Sequence, residues 1–335
     1  MTPSALAPIT QIQDSTIVAA AETFSLTLAA VEARLRRRRD TLPAPEHRRA
    51  VAAAFWRLVE ALDRAEASGP VAPEAVRACR EIAGRWLFRS RYWNRAYHKP
   101  HGYAGDFVAI EWLYDLESDP CADPVQPAIV NCLDDLLTSV PAVVSVWERR
   151  RFFADLLRAE HTRRAGRLRV LDVAGGGARY LRDFLAAITP GPQLEVTIVD
   201  QDPAASAYCR TRSLADWPGH VELVCAPIRE LPALIAGRSF DVVISAGLFD
   251  YLAAPSARAL LATLAAHLAP GGVIALSNFH RTDPSRLVKK WLCDWPLIYR
   301  DEEEGARLFP DALAVATQAS ANGALLYVTG RKAAG

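Results

Sequence analysis

The sequence lacks an excess of charge of either sign. Lys and Arg number 39 and Asp and Glu number 38, which leaves a formal net charge of +1. This balance removes the bulk attraction that draws basic proteins to nucleic acids or to anionic membranes. The run Arg34–Arg39 is a local exception, and it ends a predicted helix, where cations suit the helix dipole. We therefore expect a small molecule, and not nucleic acid, as the partner.

Paired cysteines and metal-binding clusters are also missing. The six cysteines form no CxxC pair and have no histidine at metal-ligand spacing; they are Cys79, Cys121, Cys132, Cys209, Cys225 and Cys293. Free thiols in a reducing compartment are the simplest interpretation, and we expect no metal site.

The third absence is a membrane or export signal. Pro270 and Gly271 break the Ala- and Leu-rich run that precedes Val273, so we expect no stretch long and apolar enough to span a bilayer. Residues Met1–Gln13 lack the basic start and apolar centre of a signal peptide. We expect a cytoplasmic protein with no membrane segment, either a monomer or a homodimer.

The first half of the chain shows helical periodicity and almost no strand signal. Helices are predicted over Ile17–Arg39, Pro45–Ala67, Pro73–Phe88, Asp106–Tyr114, Pro127–Leu137 and from Pro141 onward. Between the third and fourth, the segment Arg89–Gly105 is rich in aromatic and basic residues and in Gly and Pro, which predicts a loop. We expect residues 1–164 to form a helical region.

The periodicity changes after Gly166. Apolar strands are predicted over Leu168–Val173, Leu194–Val199, Val221–Cys225, Phe240–Ser245 and Val273–Ser277, with helices between them that include Tyr180–Ala187 and Ala204–Leu214. Strands that are apolar throughout and alternate with helices predict a parallel sheet covered on both faces. We expect residues 165–335 to form this second domain.

The chain ends on a hairpin signal. Ala312–Ala319 and Ala324–Thr329 flank Asn322-Gly323, a dipeptide typical of tight antiparallel turns. An α/β domain with a mostly parallel, seven-stranded, Rossmann-like sheet and a C-terminal antiparallel hairpin resembles the class I methyltransferases. Ordinary dinucleotide-binding Rossmann domains end differently.

A glycine-rich turn follows the first strand. Leu168–Val173 runs directly into Ala174–Ala178, and a helix opens near Tyr180. Glycine lets the backbone approach a ligand, and the amides of a helix N-terminus can bind it. Asp200, at the end of the second strand, is positioned to accept both hydroxyls of a ribose.

This stretch resembles the first motif of S-adenosylmethionine-dependent methyltransferases. The resemblance implies that Asp172 is the motif's acid, Gly176 its central glycine and Asp200 the ribose-binding acid; Ala174 and Ala178 stand where glycine is usual. The implied cofactor is S-adenosyl-L-methionine. With the carboxyl-edge rule for parallel sheets, the candidate cofactor-binding residues are Tyr97, Asp172, Ala174, Gly175, Gly176, Arg179, Asp200, Gln201, Pro227, Ile228 and Gly247.

A narrower resemblance covers more of the chain. Lys99–Asp106 (K-P-H-G-Y-A-G-D) is similar to the signature of bacterial extracellular-factor, 3-hydroxypalmitic acid methyl ester biosynthesis proteins. Five later stretches are also similar: Ala178-Arg179, Asp200–Asp202, Gly247–Leu252, Asn278–His280 and Trp295–Arg300. This resemblance implies a helical cap over the cofactor and a small-molecule acceptor, with a carboxylate as the leading case.

The candidate catalytic residues are Tyr103, Asp250, Tyr251, Asn278 and His280. His280 has the chemistry of a general base, but it could equally order its loop. Asp250 could orient the acceptor or the cofactor's amine, or it could cap the next helix. Tyr103 and Tyr97 lie in the aromatic segment, which we expect either to close over the sulfonium as a lid or to join the two regions.

Three activities are compatible with these patterns. The first is methyl transfer to a small metabolite or signal molecule, at a carboxylate or on an aromatic acceptor such as an indole. The second is cyclisation of S-adenosylmethionine itself, as in synthases of azetidine-2-carboxylate, which would release methylthioadenosine. The third is cofactor binding without catalysis, which the presence of Asp200, Asp250 and His280 argues against.

Overall fold

The chain divides into two compact units. The computed structural model describes residues 7–118, 123–188, 194–217 and 220–335, with side chains from Asp14 onward. One unit contains the chain up to Val143 together with Pro284–Pro296, and the other contains Val144–Asp283 and Leu297–Gly335. We call them the helical unit and the sheet unit.

The helical unit is built from amphipathic helices. They are α1 (Ala7–Arg38), α2 (Pro45–Ser68), α3 (Pro73–Leu87), α4 (Arg91–His98), α5 (Phe107–Ser118) and α6 (Ala128–Leu137). Prolines open α2 and α3, where the missing N–H is not needed. Helices α2, α3, α5 and α6 match the predicted ones to within four residues, whereas α1 begins ten residues earlier than predicted and α4 lies inside the segment predicted as a loop.

Helix α1 corrects the expectation about membrane segments. Residues 14–38 contain a stretch that is long and apolar enough to cross a bilayer by length and composition. Ile17, Phe24, Leu28 and Val31 recur on one face of α1 and are buried, and α1 packs against α2 and α3. A core helix of a soluble protein and a signal sequence near the N-terminus meet the same test, and 28% of this stretch is buried.

The sheet unit alternates strands and helices. After α7 (Pro141–Arg163) come β1 (Leu168–Val173), α8 (Arg179–Ala186), β2 (Leu194–Asp200), α9 (Pro203–Tyr208), β3 (His220–Cys225), α10 (Leu231–Leu234), β4 (Phe240–Ser245), α11 (Ala254–Ala266), β5 (Leu268–Phe279), α12 (Glu302–Ala306), β6 (Leu313–Ala319) and β7 (Leu325–Lys332). Short 3₁₀ or π-helical turns follow α9, β3 and β4.

The described strands form one seven-stranded sheet in the order β3-β2-β1-β4-β5-β7-β6. β1 pairs in parallel with β2 and β4, while β7 runs antiparallel to both β5 and β6. The predicted fold class, a mostly parallel sheet closed by an antiparallel hairpin and preceded by helices, is confirmed. After β3 the chain crosses back to β4 on the other side of β1, so the carboxyl ends of β1, β2 and β4 lie side by side at the switch point of the strand order.

The central strand β1 buries side chains on both of its faces, whereas β3, at the edge of the sheet, is only partly buried. Val170 of β1 packs with α7 and α8, whereas the next residue, Leu171, packs with α10 and α11 on the opposite face. Successive side chains of a strand point to opposite faces, so a strand covered on both sides must be apolar throughout.

The division between the units differs from the boundary expected between residues 164 and 165. Phe153 and Leu157 of α7 are fully buried in the same cluster as Leu168 and Phe184, so most of α7 belongs to the sheet unit. Pro284–Pro296 belongs to the helical unit, where Arg286 and Lys290 form ion pairs with Glu66 of α2.

Candidate functional site

The glycine-rich turn after β1 is held by its neighbours in the sheet unit. The N–H of Gly176 donates to Asp200 Oδ2 at 2.8 Å, and the thiol of Cys209 donates to the carbonyl of Gly176 at 3.1 Å. The N–H of Ala174 donates to the carbonyl of Val199 at 2.8 Å. The turn is therefore fixed to β2 and to the helical segment that follows it. Sequence reasoning missed Cys209.

Two alanines of this turn adopt left-handed backbone angles. Ala174 has φ of 57° and Ala178 has φ of 53°, close to the 56° of Gly176. An L-residue in this region costs roughly 1–2 kcal/mol. The alanines therefore follow the path that glycine takes in the motif, at an energetic cost.

Gly175 is required for a different reason. A Cβ at this position would lie 2.6 Å from Asp172 Oδ2 and 2.7 Å from Ile198 Cγ2. Any side chain would clash with the ends of β1 and β2, so the backbone lies against the sheet because this residue is glycine.

Asp172 is fully buried at the end of β1. The hydroxyl of Tyr180, from α8, is 2.7 Å from each of its carboxylate oxygens. Burial raises the pKa of Asp172 to about 7, while the hydrogen bond from Tyr180 opposes the shift and the charge of Asp200 adds to it. Asp172 is thus placed to titrate near neutral pH.

Asp200 is the last residue of β2, and its carboxylate faces the glycine-rich turn. Oδ1 accepts from the N–H of Asp202 at 2.9 Å, and Oδ2 accepts from Gly176. Burial raises the pKa of Asp200, and these backbone N–H groups oppose the shift. Since an ionised carboxylate offers about four lone-pair positions, it can still accept hydroxyl donors. A nucleoside ribose fits this donor and acceptor set.

The other predicted cofactor residues in the sheet unit lie around this centre. Arg179 is buried at the first position of α8, and Gln201 is exposed directly after Asp200. The N–H of Ala226 donates to the carbonyl of Asp200 at 3.0 Å, which places Pro227 and Ile228 beside the end of β2. The sheet thereby brings together the residues predicted from β1, β2 and β3.

A side chain from α7 lies at the end of β4, and the sequence did not predict it there. Arg149 of α7 is buried and donates through Nη1 to the carbonyl of Ala246 at 2.7 Å. The hydroxyl of Ser277 donates to the same carbonyl at 2.6 Å. The predicted Gly247 follows, and a Cβ there would lie 3.5 Å from Arg149 Nη1.

Asp250 and Asn278 belong to one buried network. Asp250 Oδ1 accepts from Asn278 Nδ2 at 3.0 Å and from the N–H of Phe279 at 2.6 Å. Asn278 Nδ2 also donates to the carbonyl of Ile298 at 2.7 Å, and its Oδ1 accepts from Arg300. Residue Ala253, and not Asp250, precedes α11 as its cap. This network fixes residues 298–300 against the end of β5.

His280 follows β5 and is also buried. Its Nδ1 lies 2.6 Å from Thr282 Oγ1, and its Nε2 lies 3.1 Å from Glu302 Oε2. A hydrogen bond from its own backbone and the bond with His280 hold the pKa of Glu302 below its usual range. Both ring nitrogens of His280 are therefore engaged within the protein.

Tyr251, by contrast, is 40% exposed, and Ile298 beside it is 36% exposed. The two are neighbours because the N–H of Ile298 donates to the carbonyl of Asp250 at 2.8 Å. They form an apolar rim at the carboxyl edge of the sheet unit.

Tyr97 and Tyr103 lie in the helical unit. The predicted loop Arg89–Gly105 is wrong in part, because Ser90 caps α4 by accepting from the N–H of Tyr92. The Tyr97 ring stacks on Phe88, with ring centroids 4.4 Å apart. Aromatic density in this segment therefore serves packing within the unit, at least at Tyr97.

The K-P-H-G-Y-A-G-D stretch also makes contacts inside the helical unit. Lys99 Nζ donates to the carbonyl of Asp294 at 2.6 Å, and Gly105 leaves room for the ring of Trp295, 2.5 Å from where a Cβ would lie. Asp106 accepts from the N–H of Ala109 at 2.9 Å, so it caps α5. These residues hold Pro284–Pro296 in the unit.

A sequence model of the family described as Methyltransferase domain matches residues 170–272. No curated protein matches the chain significantly. A possible exported protein from Bordetella parapertussis has a similar structure, with a TM-score of 0.54 and 18% identity over 67% of this chain and 79% of that chain. The N-methyltransferase NodS from Bradyrhizobium japonicum WM9, in complex with S-adenosyl-l-homocysteine, is similar over 66% of this chain and 97% of that chain, with a TM-score of 0.41 and 18% identity.

The family match spans the glycine-rich turn, Asp200 and the end of β4. It favours neither cyclisation of the cofactor nor binding without catalysis. Together with the strand order, it shows that the sheet unit is a class I methyltransferase domain, an enzyme fold whose cofactor is S-adenosyl-L-methionine.

Proposed function

We propose that the protein transfers a methyl group from S-adenosylmethionine to the carboxylate of a small molecule of specialised metabolism or signalling. The observation that carries this proposal is the engagement of both His280 ring nitrogens, by Thr282 and Glu302. An acceptor that is already anionic needs no proton removed before it reacts.

The neighbouring candidate groups support the same choice. Asp250 accepts from Asn278 and from the backbone of Phe279, and Asn278 is bonded to Ile298 and Arg300. These groups position the chain after β5. Methyl transfer is an in-line displacement, so orientation and exclusion of water can supply most of the acceleration.

Asp200 and the glycine-rich turn bind different parts of the cofactor. Asp200 accepts the ribose hydroxyls, and the turn held by Gly176 brings backbone amides to the ligand. When bound, the cofactor supplies a methyl group on a positively charged sulfur. The acceptor carboxylate forms the new C–O bond as the C–S bond breaks, which leaves an ester and a neutral thioether with no proton to move.

The apolar rim suits the rest of such an acceptor. Tyr251 and Ile298 are the exposed apolar side chains at this edge of the sheet unit, where they can cover an acyl or aromatic group. The similarity of Lys99–Asp106 and five other stretches to methyl ester biosynthesis proteins supports an ester product.

We also propose a cytoplasmic location. Cys79, Cys132, Cys209, Cys225 and Cys293 are free thiols, as is common in a reducing compartment; Cys121 lies outside the described residues. Burial raises the pKa of Cys79, Cys132 and Cys293 to about 12, which makes these thiols inert.

Incubation with methyl-labelled S-adenosylmethionine and a fractionated metabolite extract tests the acceptor class. The proposal predicts a labelled product that releases labelled methanol on mild alkaline hydrolysis, with S-adenosylhomocysteine in equal amount. A labelled product that resists alkali would mean N-, C- or ether O-methylation and would contradict the carboxylate. Methylthioadenosine without a labelled acceptor would indicate cyclisation.

A further inference from the structure

Arg149 is a buried cation at the carboxyl edge of the sheet unit. Only 6% of the residue is exposed, and its contact with the carbonyl of Ala246 holds the guanidinium at the end of β4. A carbonyl orients a guanidinium without neutralising it. Burying a charge without a counter-charge is costly.

The guanidinium also has hydrogen-bonding capacity to spare. Within the described part of the chain, Arg149 Nε is buried and has no acceptor. Buried donors in native proteins are nearly always paired, so an unpaired one calls for an explanation. Arginine presents its donors as a planar fork that matches a carboxylate. The unpaired Nε therefore indicates an anionic ligand at this place.

The strand order gives the distance to the ribose-binding acid. Asp200 ends β2, β1 lies between, and Ala246 follows β4. Neighbouring strands are about 4.8 Å apart, so the two ends are separated by about 10 Å. That is on the order of the span from the ribose of the cofactor, along its amino acid arm, to the carboxylate. Gly247 adds no side chain beside the guanidinium.

We infer that Arg149 binds the carboxylate of the cofactor's amino acid arm. This inference rests on the cofactor of the proposed function but not on its acceptor. A carboxylate on the acceptor is the other source of the same chemistry. The two are distinguished by titration in the absence of any acceptor, because only the cofactor's carboxylate is then present.

Calorimetric titration of the full-length protein with two nucleosides tests the assignment. One is S-adenosylhomocysteine, and the other is its decarboxylated analogue, which keeps the adenosine, the sulfur and the amine. Wild-type protein should prefer the first by about 10- to 100-fold, as expected for a charged hydrogen-bonded pair. Arg149→Gln should lose that preference while it binds the decarboxylated analogue as wild type does, which also shows that the variant is folded.

Arg163→Gln is the matched control, since Arg163 also lies on α7 but is bonded to Glu160 and to the carbonyl of Gly271. This variant should keep the wild-type preference. Arg149→Lys, which keeps the charge but loses the fork, should retain part of it. If Arg149→Gln keeps the full preference, or if wild type shows none, the assignment is wrong. If wild type binds neither nucleoside, the proposed function falls as well.

Discussion

The N–H of Gly176 donates to the carboxylate of Asp200 at 2.8 Å. The bond joins the turn after β1 to the end of β2, so the acid that is expected to bind ribose also shapes the turn. A change at Asp200 therefore acts on ligand binding in two ways, through lost acceptors and through a loosened backbone. Substitutions here must be chosen to separate the two.

The left-handed alanines predict an unusual stabilising substitution. Ala174→Gly should raise the free energy of unfolding by about 0.5–1 kcal/mol. The change removes a backbone strain of roughly 1–2 kcal/mol, and the greater conformational entropy of glycine in the unfolded chain offsets part of that gain. Ala178→Gly should gain little, since it also removes a buried methyl worth about 0.8 kcal/mol. Chemical denaturation measures both, and a destabilised Ala174→Gly would show that the strain is absent.

Asp172 predicts a pH dependence of stability. Its folded-state pKa is raised to about 7, above the value of about 3.9 of an unfolded aspartate. The group therefore favours folding at acidic pH, and this contribution is lost as the pH rises from about 4 through about 7. Relative to wild type, Asp172→Asn should become steadily more stable across that range, as measured by chemical denaturation.

Tyr180→Phe is the companion variant for Asp172. It removes the hydrogen bond that opposes the raised pKa of Asp172, so this pKa should rise further. The loss of stability with rising pH should then continue to a higher pH than in wild type. If the stability difference between wild type and Asp172→Asn does not change with pH, Asp172 is ionised at its ordinary pKa.

His280 is predicted to act in positioning and not as a base. His280→Gln should keep turnover within a few-fold of wild type, with the same pH–rate profile between pH 5 and 8, while it lowers the stability of the segment that carries Glu302. Glu302→Gln should behave alike. A general base would instead cost about 10²–10⁴-fold and take the acidic limb of the profile with it.

Gly105 and Gly102 form a matched pair in the helical unit. Both have left-handed φ, 76° and 89°, so alanine strains the backbone at either site. A Cβ at Gly105 would lie 2.5 Å from the Trp295 ring, whereas none of the described atoms lies within 4 Å of a Cβ at Gly102. Gly105→Ala should therefore destabilise the unit more than Gly102→Ala and change Trp fluorescence. Equal effects would show that Trp295 does not pack there.

The sheet was predictable because its signals are local. The apolar run Leu168–Val173 and the Asn322-Gly323 turn are each contained in a few neighbouring residues, and the acid at Asp200 is identified by its place after a strand. Helix α4 was missed because it is only eight residues long and lies in a segment whose glycines and proline favour a loop. Its start depends on a single cap, Ser90.

The missed site residues depend on contacts between distant parts of the chain. Arg149 lies in a long helix that contains several other arginines, where such a side chain is normally solvated, and only the packing of α7 on the sheet brings it to Ala246. Arg300 and Glu302 reach Asn278 and His280 because the chain returns to β5 after residue 296. Their positions in the sequence carry no such signal.

Calorimetric titration of S-adenosylhomocysteine into wild type, Asp200→Asn and Asp200→Ala tests the central claim most directly. Asp200→Asn can keep an acceptor for the Gly176 N–H, so its loss of affinity reports the contribution of the charge. Asp200→Ala removes both the charge and the acceptor for the turn. The exposed Asp216→Ala is the control for charge. We predict wild-type affinity for the control, a loss of at least about tenfold for Asp200→Asn, as for charged hydrogen bonds, and a larger loss for Asp200→Ala. Equal affinity in all four proteins would contradict a cofactor site at the carboxyl ends of β1 and β2.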